Sequence, residues 1–161
     1  MRPAIRLQRQ RGFTLIELLV VMAIIGVTLG LVSLNAIPSQ QQTLEKEAQR
    51  IALLLQLARD EAIVRSRQVA FEADPERYRF LVLNEKQWQL VTRDDLLRER
   101  AFKPAPMLLT MDPPSVAIAN GDAFRIIFGR EPVDKPFLLT LSSGAASIAI
   151  RADGIGHFYV E

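Results

Sequence analysis

Cysteine is absent from the 161 residues, which excludes disulfide scaffolds, thiolate zinc sites and cysteine nucleophiles. That absence is compatible with either side of a membrane. Histidine occurs once, as His157, so multi-histidine metal centres are excluded and little is left for a Ser-His-Asp triad. A strongly charged or disordered composition is missing too: 49% of residues are apolar and 24% charged, as in one globular domain of ordinary size. No internal repeat or low-complexity tract is visible.

The net charge of +2 hides an uneven distribution. Four of the twenty basic residues (Arg2, Arg6, Arg9 and Arg11) lie in the first twelve positions, without an acid. From Phe13 onward, sixteen basic and eighteen acidic residues leave a net of −2. The body therefore lacks the basic excess that a phosphate-binding surface needs, which argues against nucleic acid as a partner.

Charge is also absent from Leu18 to Val32, inside a run from Phe13 to Ile37 that Glu17 alone interrupts. At a rise of about 1.5 Å per residue, twenty-odd helical residues cross the roughly 30 Å hydrocarbon core of a bilayer. Gly26 and Gly30 offer a small face for close contact with a neighbouring helix. Four arginines precede the run and the next basic residue is Lys46, so residues 1–12 are expected in the cytoplasm and those from about 38 onward outside it. The run is too long for an ordinary secretory signal, and no Ala-x-Ala site follows at Ser33–Ser39.

A carboxylate in a lipid-facing helix costs on the order of 2.5–3.5 kcal/mol on insertion scales, and no Lys, Arg or His lies in the segment to offset Glu17. Cutting between Gly12 and Phe13 would supply a cation, because the new α-amine of Phe13 is positive near neutral pH. In a helical stack the amine of one subunit could meet Glu17 of the subunit before it and fix the axial stagger.

Arg11-Gly12-Phe13-Thr14-Leu15-Ile16-Glu17, followed by the apolar run, resembles the class III signal of type IV pilins and type II secretion pseudopilins. The resemblance covers about residues 9–35. It implies cleavage by a prepilin peptidase after Gly12, N-methylation of Phe13, and guidance of subunit assembly by Glu17.

Downstream, Asn35, Pro38 and Ser39 interrupt the pattern, and Pro38 would kink or break a continuing helix. Helical periodicity resumes from Gln41 to about Arg67, with Leu44, Ala48, Ile51, Leu55, Ala58 and Ala62 on one face. Glu45, Glu47, Arg50, Arg59, Asp60, Glu61 and Arg65 are expected mostly on a solvated face. Segments 13–37 and 38–67 together predict one helix of about 80 Å, half in the membrane and half soluble. Residues 68–161 then read as a β-rich periplasmic domain. Its expected strands are Val69–Glu72, Tyr78–Leu83, Trp88–Val91, Met107–Met111, Phe124–Phe128, Phe137–Ser142, Ser147–Arg151 and His157–Val160. Residues 93–106 are expected to form an irregular connection with little structure. Short connections favour antiparallel sheets, and a helix on such sheets is an α+β fold.

The run Leu53–Ala62, then Tyr78-Arg79-Phe80-Leu81, Trp88 and the closing Arg151–Gly156, is similar to minor pseudopilin H of type II secretion. This resemblance implies a structural subunit, not an enzyme, near the tip of a periplasmic pseudopilus. Minor pseudopilins of the I, J and K types and the major pseudopilin are the implied partners, the inner membrane is the anchor, and no cofactor is implied. A minor type IV pilin in pilus assembly or DNA uptake is the alternative, and a membrane-anchored enzyme is a third reading.

Individual residues add little chemistry. His157 lacks spacing support for a partnership with Ser142, Ser143 or Asp153, and a strand-borne histidine with a satisfied hydrogen bond is the expectation. Asp112, Asp122, Asp134 and Asp153 lie in separate turns without a dense oxygen-ligand loop for calcium. Trp88 and Tyr78 are expected in core or cross-strand packing. Asp153-Gly154-Ile155-Gly156 is too short for a phosphate cradle.

Overall fold

The computed structural model describes residues 14–34, 39–92, 94–120, 123–131 and 133–161. The chain divides into two units, one ending at Pro38 and the other running from Ser39 to Glu161. The described part of the first unit is Thr14 and helix α1 (Leu15–Leu34).

The second unit opens with α2 (Gln40–Val64), which begins at its own cap. Ser39 adopts an extended backbone, its hydroxyl accepts from the Gln42 N–H, and the Gln42 side chain accepts from the Ser39 N–H. This reciprocal pair satisfies donors that a helix start leaves open. Of the single long helix expected from residues 13–67, the described residues show α1 and α2, and Ser39 gives α2 a complete start signal of its own. Pro38 itself lies outside the described residues.

Strands β1 (Val69–Ala73), β2 (Arg77–Asn84), β3 (Gln87–Leu90), β4 (Arg100–Ala101), β5 (Leu108–Asp112), β6 (Ala117–Asn120), β7 (Ala123–Phe128), β8 (Phe137–Ser143), β9 (Ala146–Ala152) and β10 (Phe158–Val160) follow. They form two antiparallel sheets. One has the order β3-β2-β1-β7-β6, with β4 also beside β2, and the other has the order β10-β9-β8-β5. Helix α2 packs on strands of both, giving the α+β arrangement.

One continuous core joins the three layers. Leu44, Ala48, Ile51, Leu55, Ala58 and Ala62 are fully buried on α2, as their spacing predicts. They meet Val69, Phe71 and Phe80 from the first sheet and Leu139, Leu141 and Ile150 from the second. Phe71 touches the rings of Tyr78, Phe80 and Phe124 at centroid separations of 5.4–6.1 Å, an aromatic cluster at the centre of the first sheet.

Three expectations need correction. Residues 93–106 are not a loose connection in their described part: Leu97 and Phe102 are buried, β4 pairs with β2, and Phe102 N–H donates to the Glu76 carbonyl. Leu97 and Phe102 stand five residues apart, which matches neither helix nor strand periodicity, so pattern alone missed them. Strand β6 had no counterpart among the expected strands. Glu47 and Arg59 are buried at 2% and 7% exposure and do not lie on a solvated face. Burial pushes the Glu47 carboxyl above its ordinary range, although the Arg50 guanidinium 3.0 Å away pulls it back in part. The neighbouring Tyr78 hydroxyl is pushed up to about 12 by burial and by the Glu47 charge.

Candidate functional site

Helix α1 begins at Thr14, whose hydroxyl accepts from the Glu17 N–H at 3.3 Å and whose carbonyl accepts from the Leu18 N–H. Glu17 therefore sits in the first helical turn, where the backbone dipole favours a negative charge. Among the described residues no cation forms an ion pair with it. Gly12 and Phe13, the expected cleavage and methylation positions, lie outside the described residues.

From Leu15 to Val27 every large apolar side chain of α1 is exposed, from 45% at Ile25 to 84% at Leu15. The one polar side chain in the middle is satisfied internally: the Thr28 hydroxyl donates within reach of the Ile24 and Ile25 carbonyls at 2.9 and 3.0 Å. Among the described residues no helix is long and apolar enough to cross a membrane, and the side chains of α1 are described only as far as Thr28.

The remaining candidates fall into place elsewhere. His157 precedes β10, and its Nδ1 lies 2.6 Å from Asp153 Oδ2, a pairing that sequence spacing did not support. Asp153 Oδ1 accepts from the backbone N–H groups of Ile155, Gly156 and His157. Desolvation works against ionisation of Asp153, but these bonds and His157 outweigh it and hold the carboxyl down at about 2. The pair organises a turn. Its glycines both have positive φ, and a Cβ at Gly156 would fall 2.5 Å from the buried Arg59 guanidinium. Ser143 is buried on β8, where its carbonyl accepts from Gln40. Asp112 stands on β5, whereas the Asp134 N–H donates to the Gly154 carbonyl next to Asp153, and among the described residues no three acidic or histidine groups converge on a metal position. Asp122 lies outside the described residues. Tyr78 is core, whereas Trp88 lies 5.2 Å from the Arg125 guanidinium.

The family described as Type II transport protein GspH matches residues 47–156, more than half of the chain. The chain belongs to that family. A second match, to the prokaryotic N-terminal methylation motif, covers residues 7–33 and thus the segment around Glu17. Among curated relatives, Type II secretion system protein H of Pseudomonas aeruginosa is 33% identical over 88% of this chain and 81% of its own length. Its counterpart in Klebsiella michiganensis is 33% identical over 47% of this chain and 41% of that protein. Two structures of the minor pseudopilin EpsH from the type II secretion system of Vibrio cholerae share the fold. Their TM-scores are 0.52 and 0.57 at 20% and 17% identity, and the matches cover 71% and 76% of this chain and 92% and 98% of theirs.

This GspH-family chain is a minor pseudopilin of type II secretion, a membrane-anchored structural subunit that assembles with other pseudopilins. The curated protein H relatives favour type II secretion over the alternative reading as a minor type IV pilin.

Proposed function

We propose that the chain is made with a cytoplasmic leader of residues 1–12, cut after Gly12, methylated on Phe13, and drawn from the inner membrane into a periplasmic pseudopilus through Glu17. Residues 13–37 form the membrane and assembly segment, residues 38–67 the soluble helix, and residues 68–161 the β-rich domain on the periplasmic side. The subunit acts at or near the tip, beside the I, J and K minor pseudopilins and above the major pseudopilin, and it has no catalytic role.

The observation that carries this reading is Glu17, a carboxylate in an otherwise apolar, outward-facing helix with no cation paired to it among the described residues. An α-amine on Phe13 of an adjoining subunit is the cation that the cut would create. Mass spectrometry of the detergent-extracted chain is expected to show a species beginning at methylated Phe13. Glu17→Ala is expected to be cut normally yet to drop out of the assembly, so that secretion falls. Retention of residues 1–12 on the mature chain, or normal incorporation of Glu17→Ala, overturns the reading.

A further inference from the structure

Both helices of this chain begin with the same kind of four-residue pattern. Thr14-Leu15-Ile16-Glu17 opens α1 and Ser39-Gln40-Gln41-Gln42 opens α2. In each, a hydroxyl is followed three residues later by a side chain able to reach back to it. At α2 both halves of the device are closed. The Ser39 hydroxyl accepts from the Gln42 N–H at 3.2 Å, and the Gln42 carboxamide accepts from the Ser39 N–H at 3.3 Å. At α1 only one half is closed. The Thr14 hydroxyl accepts from the Glu17 N–H at 3.3 Å, while among the described residues the Glu17 carboxylate takes no hydrogen bond.

A helix start leaves its first N–H groups without partners inside the helix, and an apolar medium offers no water to take them. Thr14 takes the Glu17 N–H on its hydroxyl, and its carbonyl closes the first helical bond with the Leu18 N–H. From residue 14 to residue 32 the other polar side chains are Glu17 and Thr28, and Thr28 is turned onto its own helix. Gln42 shows that a neutral amide completes such a cap. A charge at the matching place in an apolar helix carries an insertion cost that local capping does not require. The division of labour follows: Thr14 serves the helix start, and the Glu17 carboxylate is left over for something outside it. Without the hydroxyl the Glu17 N–H is open, the first turn frays, and the carboxylate loses its fixed place four residues after Phe13.

We infer that Thr14 is a positioning residue for Glu17: its hydroxyl anchors the first turn of α1 and keeps the Glu17 carboxylate free for the amine of an adjoining subunit. The inference rests on the assembly role proposed above and adds a second residue to it. Thr14 acts through the backbone of Glu17, not by contact with a partner. The position therefore requires an acceptor for the Glu17 N–H. Serine and asparagine supply one, whereas valine keeps the shape of threonine and does not.

The test compares Thr14→Val, Thr14→Ser and Thr14→Asn with wild type, as full chains in cells carrying the rest of the secretion system. Incorporation is the share of chains beginning at methylated Phe13 that is recovered in the assembled pseudopilus, which separates assembly from cleavage. Thr14→Val is expected to lower that share about fivefold, the usual scale of a lost cap, while Thr14→Ser and Thr14→Asn stay near wild type. Amide hydrogen exchange of the detergent-extracted full chain is the second readout and does not depend on cleavage. The Glu17 amide is expected to exchange about fivefold faster in Thr14→Val and at the wild-type rate in Thr14→Ser. Wild-type incorporation of Thr14→Val overturns the inference. So does an equal loss in Thr14→Ser, which would mark a packing role, or a Glu17 amide as protected in Thr14→Val as in wild type. Glu17→Ala is read alongside. If it drops out while Thr14→Val assembles normally, the positioning role alone is wrong; if it assembles normally, the assembly reading itself falls.

Discussion

The two helices use nearly the same apolar vocabulary for opposite ends. Helix α1 has apolar residues on every side, and its large side chains from Leu15 to Val27 are exposed. Helix α2 gathers most of its apolar residues into a stripe from Leu44 to Ala62 that the two sheets bury, leaving Leu53 and Val64 exposed. Hydrophobic burial has no direction of its own, so the partner decides where each helix goes. For α2 the partner is in the same polypeptide. For α1, on the function proposed above, it is lipid before assembly and neighbouring subunits afterwards, with Glu17 distinguishing the second environment from the first.

The sharpest way to break this contrast is to truncate one apolar side chain in each region. Phe71→Ala empties a fully buried position at the centre of the aromatic cluster, and losses of about 3–5 kcal/mol are usual for such a change. Calorimetry of residues 39–161 should show a large drop in melting temperature. Ile24→Ala in α1, at a position 58% exposed, should leave the melting of the same domain unchanged in the full chain. Equal effects would mean that the two helices are not partitioned between internal and external partners.

A smaller effect is expected at the boundary. Ser39→Ala removes the hydroxyl that accepts from the Gln42 N–H and breaks the reciprocal cap of α2. Losing such a cap costs about 1 kcal/mol, so a shift of a few degrees in the same calorimetric assay is expected. No shift would mean that α2 does not depend on starting at Ser39.

Legibility follows the same division. The N-terminal methylation motif, matched over residues 7–33, could be read because it is a local signal: Gly12-Phe13 and one carboxylate within a few residues, ahead of an apolar run. The stripe on α2 and most of the strands were legible because helix and strand periods are short-range signals. What escaped depends on partners far away in sequence. Phe102 is buried against Tyr78, the two rings meeting at 5.0 Å, and Leu97 joins the same core. The Asp153–His157 contact depends on a turn whose glycines fold back against Arg59 and the Asp134 carbonyl.

Glu47 sharpens the comparison through pH, since it is an acid placed on the buried side of α2 and Glu17 an acid placed on an outward-facing helix. Burial raises the Glu47 carboxyl in the folded chain above its ordinary value of 4.5, with Arg50 opposing in part. A raised carboxyl binds its proton more tightly when folded than when unfolded. Its stabilising effect is complete below the ordinary value and is lost as pH rises through the folded one, where the buried group must ionise. Glu47→Gln keeps the shape and stays neutral throughout. The variant should therefore gain stability over wild type as pH climbs from about 4.5 to 7, with the difference vanishing under acidic conditions. Denaturant titrations of residues 39–161 across that range measure it directly. A difference that instead grows in favour of wild type as pH rises would show that the ion pair with Arg50 outweighs the cost of charging a buried acid.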